Sequence, residues 1–214
     1  MRVGVLAAQG DFAAHARALE RAGAEAVLVR KPRDLAGVEG LVLPGGESTA
    51  MLHALARDGL EAPLADFVRS GRPVLATCAG TILLARGVRH PAQRSLGALD
   101  VDVERNAYGT QLDSFTVPVD AGSAFPGLRA IFIRAPRIVR VGPGVEVLAR
   151  VRGHPVLVQS RRIWAATFHP ELGDDDRVVR EWFDGGPPAG ANDARTPMDS
   201  ECIACATADP PRLR

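Results

Sequence analysis

Short apolar runs alternate with amphipathic segments along the first half of the chain. Each run has the length and composition of a buried strand, and each amphipathic segment repeats its apolar positions at helical spacing. The predicted strands are 3–6, 26–29, 40–43 and 73–77. The predicted helices are 12–22, 48–56, 63–68 and 79–85, the last of them closed by Gly87. This alternation predicts an α/β fold in which crossover helices join parallel strands.

The pattern changes after residue 100, where apolar runs are joined by short turns. The predicted strands there are 101–104, 115–119, 130–133, 145–150, 156–159 and 163–167, and a final helix is predicted over 177–183. The pair Arg152-Gly153 is typical of a hairpin turn. We therefore expect part of this half to be antiparallel.

The length and composition predict one domain followed by a tail. The chain has 214 residues, of which 46% are hydrophobic and 24% charged, as in one ordinary globular domain. After Asp184 large apolar residues are nearly absent and glycine and proline are frequent, so we expect a domain over 1–184 and a disordered tail over 185–214. Cys202 and Cys205 in this tail have CxxC spacing without a second pair of ligands, and we interpret them as exposed thiols rather than a zinc site.

The charge balance argues against polyanionic partners. With 26 basic and 25 acidic residues, the formal net charge is +1, which provides no long-range field to attract nucleic acid or an anionic membrane. The N-terminal apolar stretch ends at Gln9-Gly10-Asp11, before a signal-peptide core or a membrane span would be complete. We expect a cytoplasmic protein with no nucleic-acid or membrane partner.

Cys78 stands where a predicted strand gives way to a predicted helix, in the stretch PVLATCAGTILLA. Small neighbours expose a nucleophile on such a turn, and the N-terminus of the following helix favours a thiolate. The amide of Ala79 would be placed to bind an oxyanion. A buried free cysteine is a common structural feature, so this stretch by itself leaves packing and catalysis both open.

Two further stretches would supply what a cysteine nucleophile needs. In LPGGEST, at 43–49, a Gly-Gly turn precedes a helix with Ser48 or Thr49 at its start, and Gly46 could direct a free amide toward an oxyanion. In FHPEL, at 168–172, His169 could act as general base while Glu171 orients its imidazole. Taken singly, a capped turn and a loop histidine are ordinary structural features.

Three short stretches, PGGES, TCAG and FHPE, together resemble the triad-type (class I) glutamine amidotransferases. Longer stretches narrow the resemblance to the glutaminase subunits of pyridoxal 5'-phosphate synthases: GVLAAQGDFAAH (4–15), LPGGEST (43–49), ERNAYGTQLDSF (104–115), FIRAP (132–136) and FHPEL (168–172). The match covers residues 1–184 in order and spacing. It implies a three-layer, flavodoxin-like fold with a mainly parallel central sheet, helices on both faces and some antiparallel strands in the C-terminal half.

The resemblance also implies roles for individual residues. Cys78 would be the nucleophile of a triad completed by His169 and Glu171, which releases ammonia from glutamine through a γ-glutamyl thioester. Amides of Gly46 and Ala79 would form the oxyanion hole. The positions at which the family binds glutamine are Gly46, Glu47, Ser48, Arg105, Ile133 and Arg134. The forked guanidinium groups suit a carboxylate or carbonyl, and a carboxylate such as that of Glu47 suits the α-ammonium group.

The same resemblance implies a partner. Ammonia would pass to a (β/α)8-barrel synthase subunit, in a large hetero-oligomer that makes pyridoxal 5'-phosphate from a pentose phosphate and a triose phosphate. The family's glutaminases are poorly active until docked, which implies that the synthase rearranges the loop at 44–47. We expect no metal and no cofactor in this chain, which has no evident glycine loop for binding phosphate.

Two positions depart from the family pattern, and three alternative functions are open. Thr110 stands where the family usually has arginine, and Ala76 stands where glycine commonly precedes TCAG. The alternatives are the glutaminase of another amidotransferase, such as imidazole glycerol phosphate synthase, a non-enzymatic redox or stress protein of flavodoxin-like fold, and an inactive scaffold subunit. FIRAP and RNAYG argue against the first, and a redox protein has no use for the pair His169 and Glu171.

Overall fold

The structure is a computed structural model that describes residues 1–105, 107 and 114–185. The strands in these residues are β1 (Arg2–Leu6), β2 (Glu25–Val29), β3 (Gly40–Leu43), β4 (Val74–Thr77), β5 (Ala85–Arg89), β6 (Leu99–Glu104), β7 (Phe115–Pro118), β8 (Arg129–Phe132), β9 (Arg137–Val141), β10 (Glu146–Val151), β11 (His154–Ser160) and β12 (Ile163–Ala166). The helices are α1 (Phe12–Arg21), α2 (Ser48–Arg57), α3 (Glu61–Arg69), α4 (Ala79–Leu84) and α5 (Arg177–Asp184), with short 3-10 helices at Pro32–Leu35 and Pro170–Leu172.

A seven-stranded sheet runs through the centre of the molecule in the order β10-β11-β12-β4-β3-β1-β2. The five strands from β12 to β2 pair in parallel, and β10 and β11 extend the sheet as an antiparallel hairpin. Arg152 and Gly153 in the hairpin turn have φ of 49° and 78°, the positive values that a two-residue turn of this hand requires. The predicted α/β fold and its antiparallel C-terminal part are confirmed.

Successive residues of the parallel strands point to opposite faces of the sheet, and helices cover both faces. Leu41 and Leu43 of β3 belong to the apolar core that includes residues of α2, α3 and α4. Val42 belongs to the core on the other face, which includes residues of α1 and α5. Strands that are buried on both faces need apolar side chains at every position, which explains their continuous apolar runs.

Two strands lie where the sequence pattern predicted none. Helix α4 ends at Leu84, and the chain continues directly into β5, so the prediction that Gly87 closes this helix is wrong. Strand β5 pairs in parallel with β6, and β9 pairs with the other edge of β6. Strands β7 and β8 form a separate antiparallel pair.

No helix among the described residues is long and apolar enough to cross a membrane.

The carboxyl ends of four parallel strands, β1, β3, β4 and β12, meet at one edge of the central sheet. Ligands of open α/β sheets bind in the crevice outside this edge. The segments that leave it are 7–11, 44–47, the residue Cys78 and 167–172. Stretches that are far apart in the chain are thereby brought to one place.

Candidate active site

Cys78 occupies a sharp turn between β4 and α4. Its backbone has φ 47° and ψ −105°, a conformation that residues other than glycine rarely adopt. Gly80, two residues later, allows α4 to approach the end of β3, because a Cβ there would lie 2.1 Å from the carbonyl oxygen of Leu43. The turn places Cys78 at the N-terminus of α4, as its sequence predicted.

His169 and Glu171 lie in the segment that follows β12. The Nδ1 atom of His169 is 2.7 Å from Oε1 of Glu171, and both residues are buried, with 8% and 4% of their surface exposed. The amide of His169 donates to the carbonyl of Ile131 at 2.9 Å, which ties this segment to β8. The structure therefore brings together the predicted base and the predicted orienting carboxylate.

The electrostatics of this pair depend on their neighbours. Burial would lower the pKa of His169, but interactions with the side chains of Cys78 and Glu171 outweigh burial and raise it above its ordinary value. Burial would raise the pKa of Glu171, but contacts with His15 and His169 hold it below its ordinary value. A charged imidazolium between a carboxylate and a cysteine stabilises the thiolate form of that cysteine.

The Gly-Gly loop after β3 is pressed against these residues. A Cβ on Gly45 would lie 2.4 Å from Cε1 of His169 and 3.3 Å from Cβ of Cys78. Gly46 has φ 150°, and a Cβ there would lie 2.3 Å from Oε1 of Gln9. The same oxygen of Gln9 accepts a hydrogen bond from the amide of Glu47 at 2.7 Å. Gly45 therefore lets the loop approach the cysteine and histidine, and Gly46 lets it approach Gln9.

Glu47, rather than Ser48 or Thr49, caps α2. Its carboxylate accepts hydrogen bonds from the amides of Thr49 at 3.0 Å and Ala50 at 2.6 Å, and from the guanidinium of Arg105 at 3.1 Å. Burial would raise the pKa of Glu47, but these bonds lower it overall. The prediction that Ser48 or Thr49 stands at the start of this helix is confirmed, because α2 begins at Ser48.

The hydroxyl of Ser48 instead donates to Oε1 of Gln93 at 3.0 Å. Gln93 lies between β5 and β6, so this contact links the start of α2 to the chain after α4.

The Sγ atom of Cys78 faces the backbone of the segment after β8, 3.9 Å from the carbonyl oxygen of Ile133. The next residue, Arg134, has φ 43° and is exposed.

A cleft of about 290 Å³ collects most of the predicted residues. Those that line it are Gly46, Glu47, Ser48, Cys78, Arg105, Ile133, Arg134 and His169. Glu171 is not part of the lining and stands behind His169, and Ala79 begins α4 directly after the cysteine. Their catalytic and binding roles stay predictions. Thr110, Cys202 and Cys205 lie outside the described residues.

The cleft also contains residues that the sequence reasoning did not single out. Gln9 and Asp11 line it from the segment after β1, and Ile82 and Leu172 line it from α4 and the 3-10 helix. Polar residues that directly follow a buried parallel strand were a usable signal for Gln9 and Asp11. Outside the cleft lining, His15 is a further polar residue that was not singled out, and its position on the apolar face of a predicted helix was the signal for it. Within the described residues, no group of three or more histidine, cysteine, aspartate or glutamate side chains could hold a metal ion.

Comparison with known proteins identifies the family. The model of the SNO glutamine amidotransferase family matches residues 5–184. The chain belongs to this family. Similar proteins include those named pyridoxal 5'-phosphate synthase subunit PdxT from Solibacter usitatus and Thermotoga maritima. The first is 55% identical over 183 residues, covering 83% of this chain and 95% of the relative, and the second 48% over 186 residues, covering 86% and 98%.

Solved structures agree with this membership of the SNO glutamine amidotransferase family. A crystal structure of a glutamine amidotransferase matches with a TM-score of 0.79 and 43% identity, covering 85% of this chain and 97% of that chain. The structure of PurLQS from Thermotoga maritima matches with a TM-score of 0.64 and 19% identity, covering 86% and 97%, and supports the fold alone. The family and the fold predicted from PGGES, TCAG and FHPE are confirmed.

Proposed function

We propose that this chain is the glutaminase subunit of a pyridoxal 5'-phosphate synthase. It hydrolyses L-glutamine to L-glutamate and ammonia and passes the ammonia to a synthase subunit. The observation that carries this proposal is the identity of about half of the residues, over nearly the full length of the relatives, to proteins named pyridoxal 5'-phosphate synthase subunit PdxT. The cleft that holds Cys78 and His169 supplies the chemistry.

The first half of the reaction forms a thioester. The thiolate of Cys78 attacks the carboxamide carbon of glutamine, and the electron pair of the C=O bond moves to oxygen. Amides of Gly46 and Ala79 stabilise this oxyanion. The imidazolium of His169 gives its proton to the nitrogen, the C–N bond breaks, and ammonia leaves a γ-glutamyl thioester on Cys78.

The second half returns the enzyme to its starting state. Neutral His169 removes a proton from water, the hydroxide adds to the thioester carbon, and the C–S bond breaks to give glutamate and the thiolate of Cys78. Glu171 stabilises the imidazolium whenever it forms and holds His169 in the tautomer with hydrogen on Nδ1, the nitrogen 2.7 Å from its Oε1.

Three charged groups at the cleft suit the α-carboxylate and α-ammonium groups of glutamine. Arg134 is exposed at the cleft and can bind the α-carboxylate through its forked donors. The carboxylate of Glu47 lines the cleft with half of its side chain exposed, so it can also accept a hydrogen bond from the α-ammonium group. Arg105 holds Glu47 in place and completes the cleft wall beside Ser48.

Ammonia near neutral pH is mostly protonated, and only the neutral amine is nucleophilic. A glutaminase that feeds a synthesis therefore profits from a partner that takes ammonia directly. We place this chain in a cytoplasmic hetero-oligomer with a (β/α)8-barrel synthase subunit that combines a pentose phosphate and a triose phosphate. A different acceptor enzyme, such as imidazole glycerol phosphate synthase, would use the same triad.

The test is reconstitution with the cognate synthase subunit. The unmutated chain should release glutamate from glutamine and support formation of pyridoxal 5'-phosphate. Cys78→Ala should lower both rates more than about a thousandfold, because no other group replaces the nucleophile. Ammonium salts should restore pyridoxal 5'-phosphate formation with this variant. Absence of glutamate from the unmutated pair would refute the enzyme function. If glutamate formed only with an imidazole glycerol phosphate cyclase, that enzyme would be the ammonia acceptor instead.

A further inference from the structure

His15 is a buried titratable group that the mechanism above does not use. It lies on the buried face of α1, with 1% of its surface exposed, among Ala14, Ala18 and Leu19. Its Nε2 atom is 3.2 Å from Oε1 of Glu171 and 3.0 Å from Oγ1 of Thr77. The imidazole thus connects α1 both to the residue before the cysteine and to the carboxylate behind His169.

The carboxylate determines which hydrogen this imidazole carries. An ionised Glu171 only accepts hydrogen bonds, so an Nε2 atom without hydrogen would direct its lone pair at another lone pair. Nε2 of His15 therefore carries a hydrogen, which it shares between Oε1 of Glu171 and Oγ1 of Thr77. When His15 is neutral, its other nitrogen, Nδ1, is the one without hydrogen.

The two histidines converge on the same oxygen of Glu171. Oε1 lies 2.7 Å from Nδ1 of His169 and 3.2 Å from Nε2 of His15. Oε2 is buried and has no hydrogen-bond partner among the described residues. An ionised carboxylate with 1% of its side chain exposed is costly unless it is paired, so each donor at Oε1 matters. Without His15, His169 would be the sole side-chain donor to Glu171 in the part of the chain that the structure describes.

We propose that His15 is a positioning residue, whose Nε2 hydrogen keeps Glu171 ionised and fixed behind His169. His169 then retains hydrogen on Nδ1 and presents its other nitrogen to Cys78. His15 does not line the cleft, so it acts through Glu171 rather than on the substrate. This inference rests on the proposed glutaminase function and adds a fourth side chain to the relay.

The proposal predicts a change in pH dependence. The titratable groups that act on Glu171 are His15 from α1 and His169 from its own segment, with Cys78 beyond His169. Both histidines favour the ionised carboxylate. Loss of the His15 donor therefore lets Glu171 take up a proton at a higher pH, and the acid limb of the kcat profile should move to higher pH.

The experiment compares three variants of the full chain in complex with the synthase. His15→Leu removes the donor at similar size, His15→Gln keeps an amide N–H near the position of Nε2, and His53→Leu is a control at an exposed position of α2. We expect His15→Leu to lower kcat about ten- to a hundredfold, by analogy with the loss of groups that orient a functional side chain, with KM for glutamine unchanged. His15→Gln should restore most of the rate and the acid limb.

A second measurement uses the chain without synthase or glutamine. The rate at which iodoacetamide alkylates Cys78, followed by the mass of its peptide to separate it from Cys202 and Cys205, reports the thiolate fraction against pH. If the unmutated complex makes no glutamate, the proposed function fails, and this profile still shows whether His15 acts on the relay. If His15→Leu does not fold, His15→Asn is used in its place. The shorter asparagine side chain puts its amide at the position of Nδ1 and so leaves the position of Nε2 without a donor.

Two outcomes would overturn the role of His15. The first is an unchanged pH profile of both kcat and alkylation in His15→Leu. The second is an equal loss of kcat in His15→Leu and His15→Gln together with an equal fall in Tm. That result would assign His15 to packing alone. Recovery of kcat and of both acid limbs in His15→Gln supports the proposal, since packing does not distinguish a donor from its absence.

Discussion

At the scale of single residues, the candidate site depends on conformations and charges that are costly in isolation. The backbone of Cys78, at φ 47°, costs on the order of 1–3 kcal/mol and persists only where the surroundings hold it. Its amide donates to the carbonyl of Ala166 at 2.9 Å, and the amide of Gly80 donates to that of Pro44 at 3.1 Å. Hydrogen bonds on both sides of the turn therefore fix the cysteine where it can react.

Replacing Glu171 with glutamine tests the charge behind His169. Glu171→Gln keeps the size of the side chain but removes the negative charge that stabilises the imidazolium and its tautomer. We expect kcat for glutamate release to fall by about 10³–10⁴-fold. The measurement is glutamate release by the reconstituted complex, with Glu20→Gln, an exposed position on α1, as the control that should change nothing. A fall below tenfold would contradict a role for this carboxylate.

The same variant predicts how stability depends on pH. Because the folded pKa of Glu171 is depressed, its ionisation stabilises the fold above the unfolded carboxyl pKa of about 4.3. This contribution is lost as the pH falls through the folded pKa. The difference in unfolding free energy between the unmutated chain and Glu171→Gln should therefore narrow from pH 7 to pH 3, as measured by urea denaturation. A difference that stays constant would contradict the depressed pKa.

At the scale of secondary-structure elements, the sequence predicted best the strands and helices whose conformation is determined by their own residues. The buried parallel strands β1, β3 and β4 have continuous apolar runs, and their ranges were predicted to within a residue. The stretch Ala85–Arg89 has a single β-branched residue, and it becomes β5 because it pairs with β6. The stretch Arg137–Val141 contains an isoleucine and two valines, a β-strand composition that is visible in the sequence, although no strand was predicted there.

Site residues follow the same rule. Cys78, His169 and Glu171 could be singled out because a strand-to-helix turn and short spacing are local features. The contact between Glu47 and Arg105 could not, since Arg105 lies 58 positions away and donates to the carboxylate that caps α2. The contact of His15 with Glu171 likewise joins the first helix to the segment after the last strand and requires the assembled sheet.

Gly80 tests how closely α4 must approach β3. A Cβ in Gly80→Ala would lie 2.1 Å from the carbonyl oxygen and 2.8 Å from the carbonyl carbon of Leu43, backbone atoms that cannot move aside independently. We expect a loss of about 2–4 kcal/mol in unfolding free energy and a fall in glutaminase activity as the turn shifts.

The matched control is Gly173→Ala, at the residue after the cleft-lining Leu172. Its Cβ would meet its nearest neighbour at 3.7 Å, and its φ of −91° suits any residue. This variant should change the free energy by no more than about 0.5 kcal/mol. Equal effects of the two variants in urea denaturation would show that the contact of α4 with β3 has no special demand for glycine.

At the scale of the whole molecule, the described residues to 185 account for the length shared with the relatives. The family match ends at residue 184, and the relatives are covered over 92–98% of their own length by 83–86% of this chain. Helix α5 closes this shared part and buries Val178, Val179 and Trp182. Gly185 follows in the left-handed conformation, and its amide donates to the carbonyl of Glu181, which ends the helix. Among the residues that the structure describes, the elements that build both cores and the cleft thus lie within 1–184.

Truncation after Gly185 tests this division of the chain. The shortened chain keeps α5 and its C-terminal glycine, so its Tm should stay within about 2 °C and its glutaminase rate with the synthase should be unchanged. Truncation after Asp176 is the control that removes α5. Loss of three buried side chains, each contributing about 1.5–3 kcal/mol, should lower Tm by about 10 °C or more, because 1 kcal/mol shifts Tm by about 2–4 °C in a chain of this size. If truncation after Gly185 lowered Tm or activity as much as truncation after Asp176, the last 29 residues would have to belong to the folded domain, and the predicted boundary would be wrong.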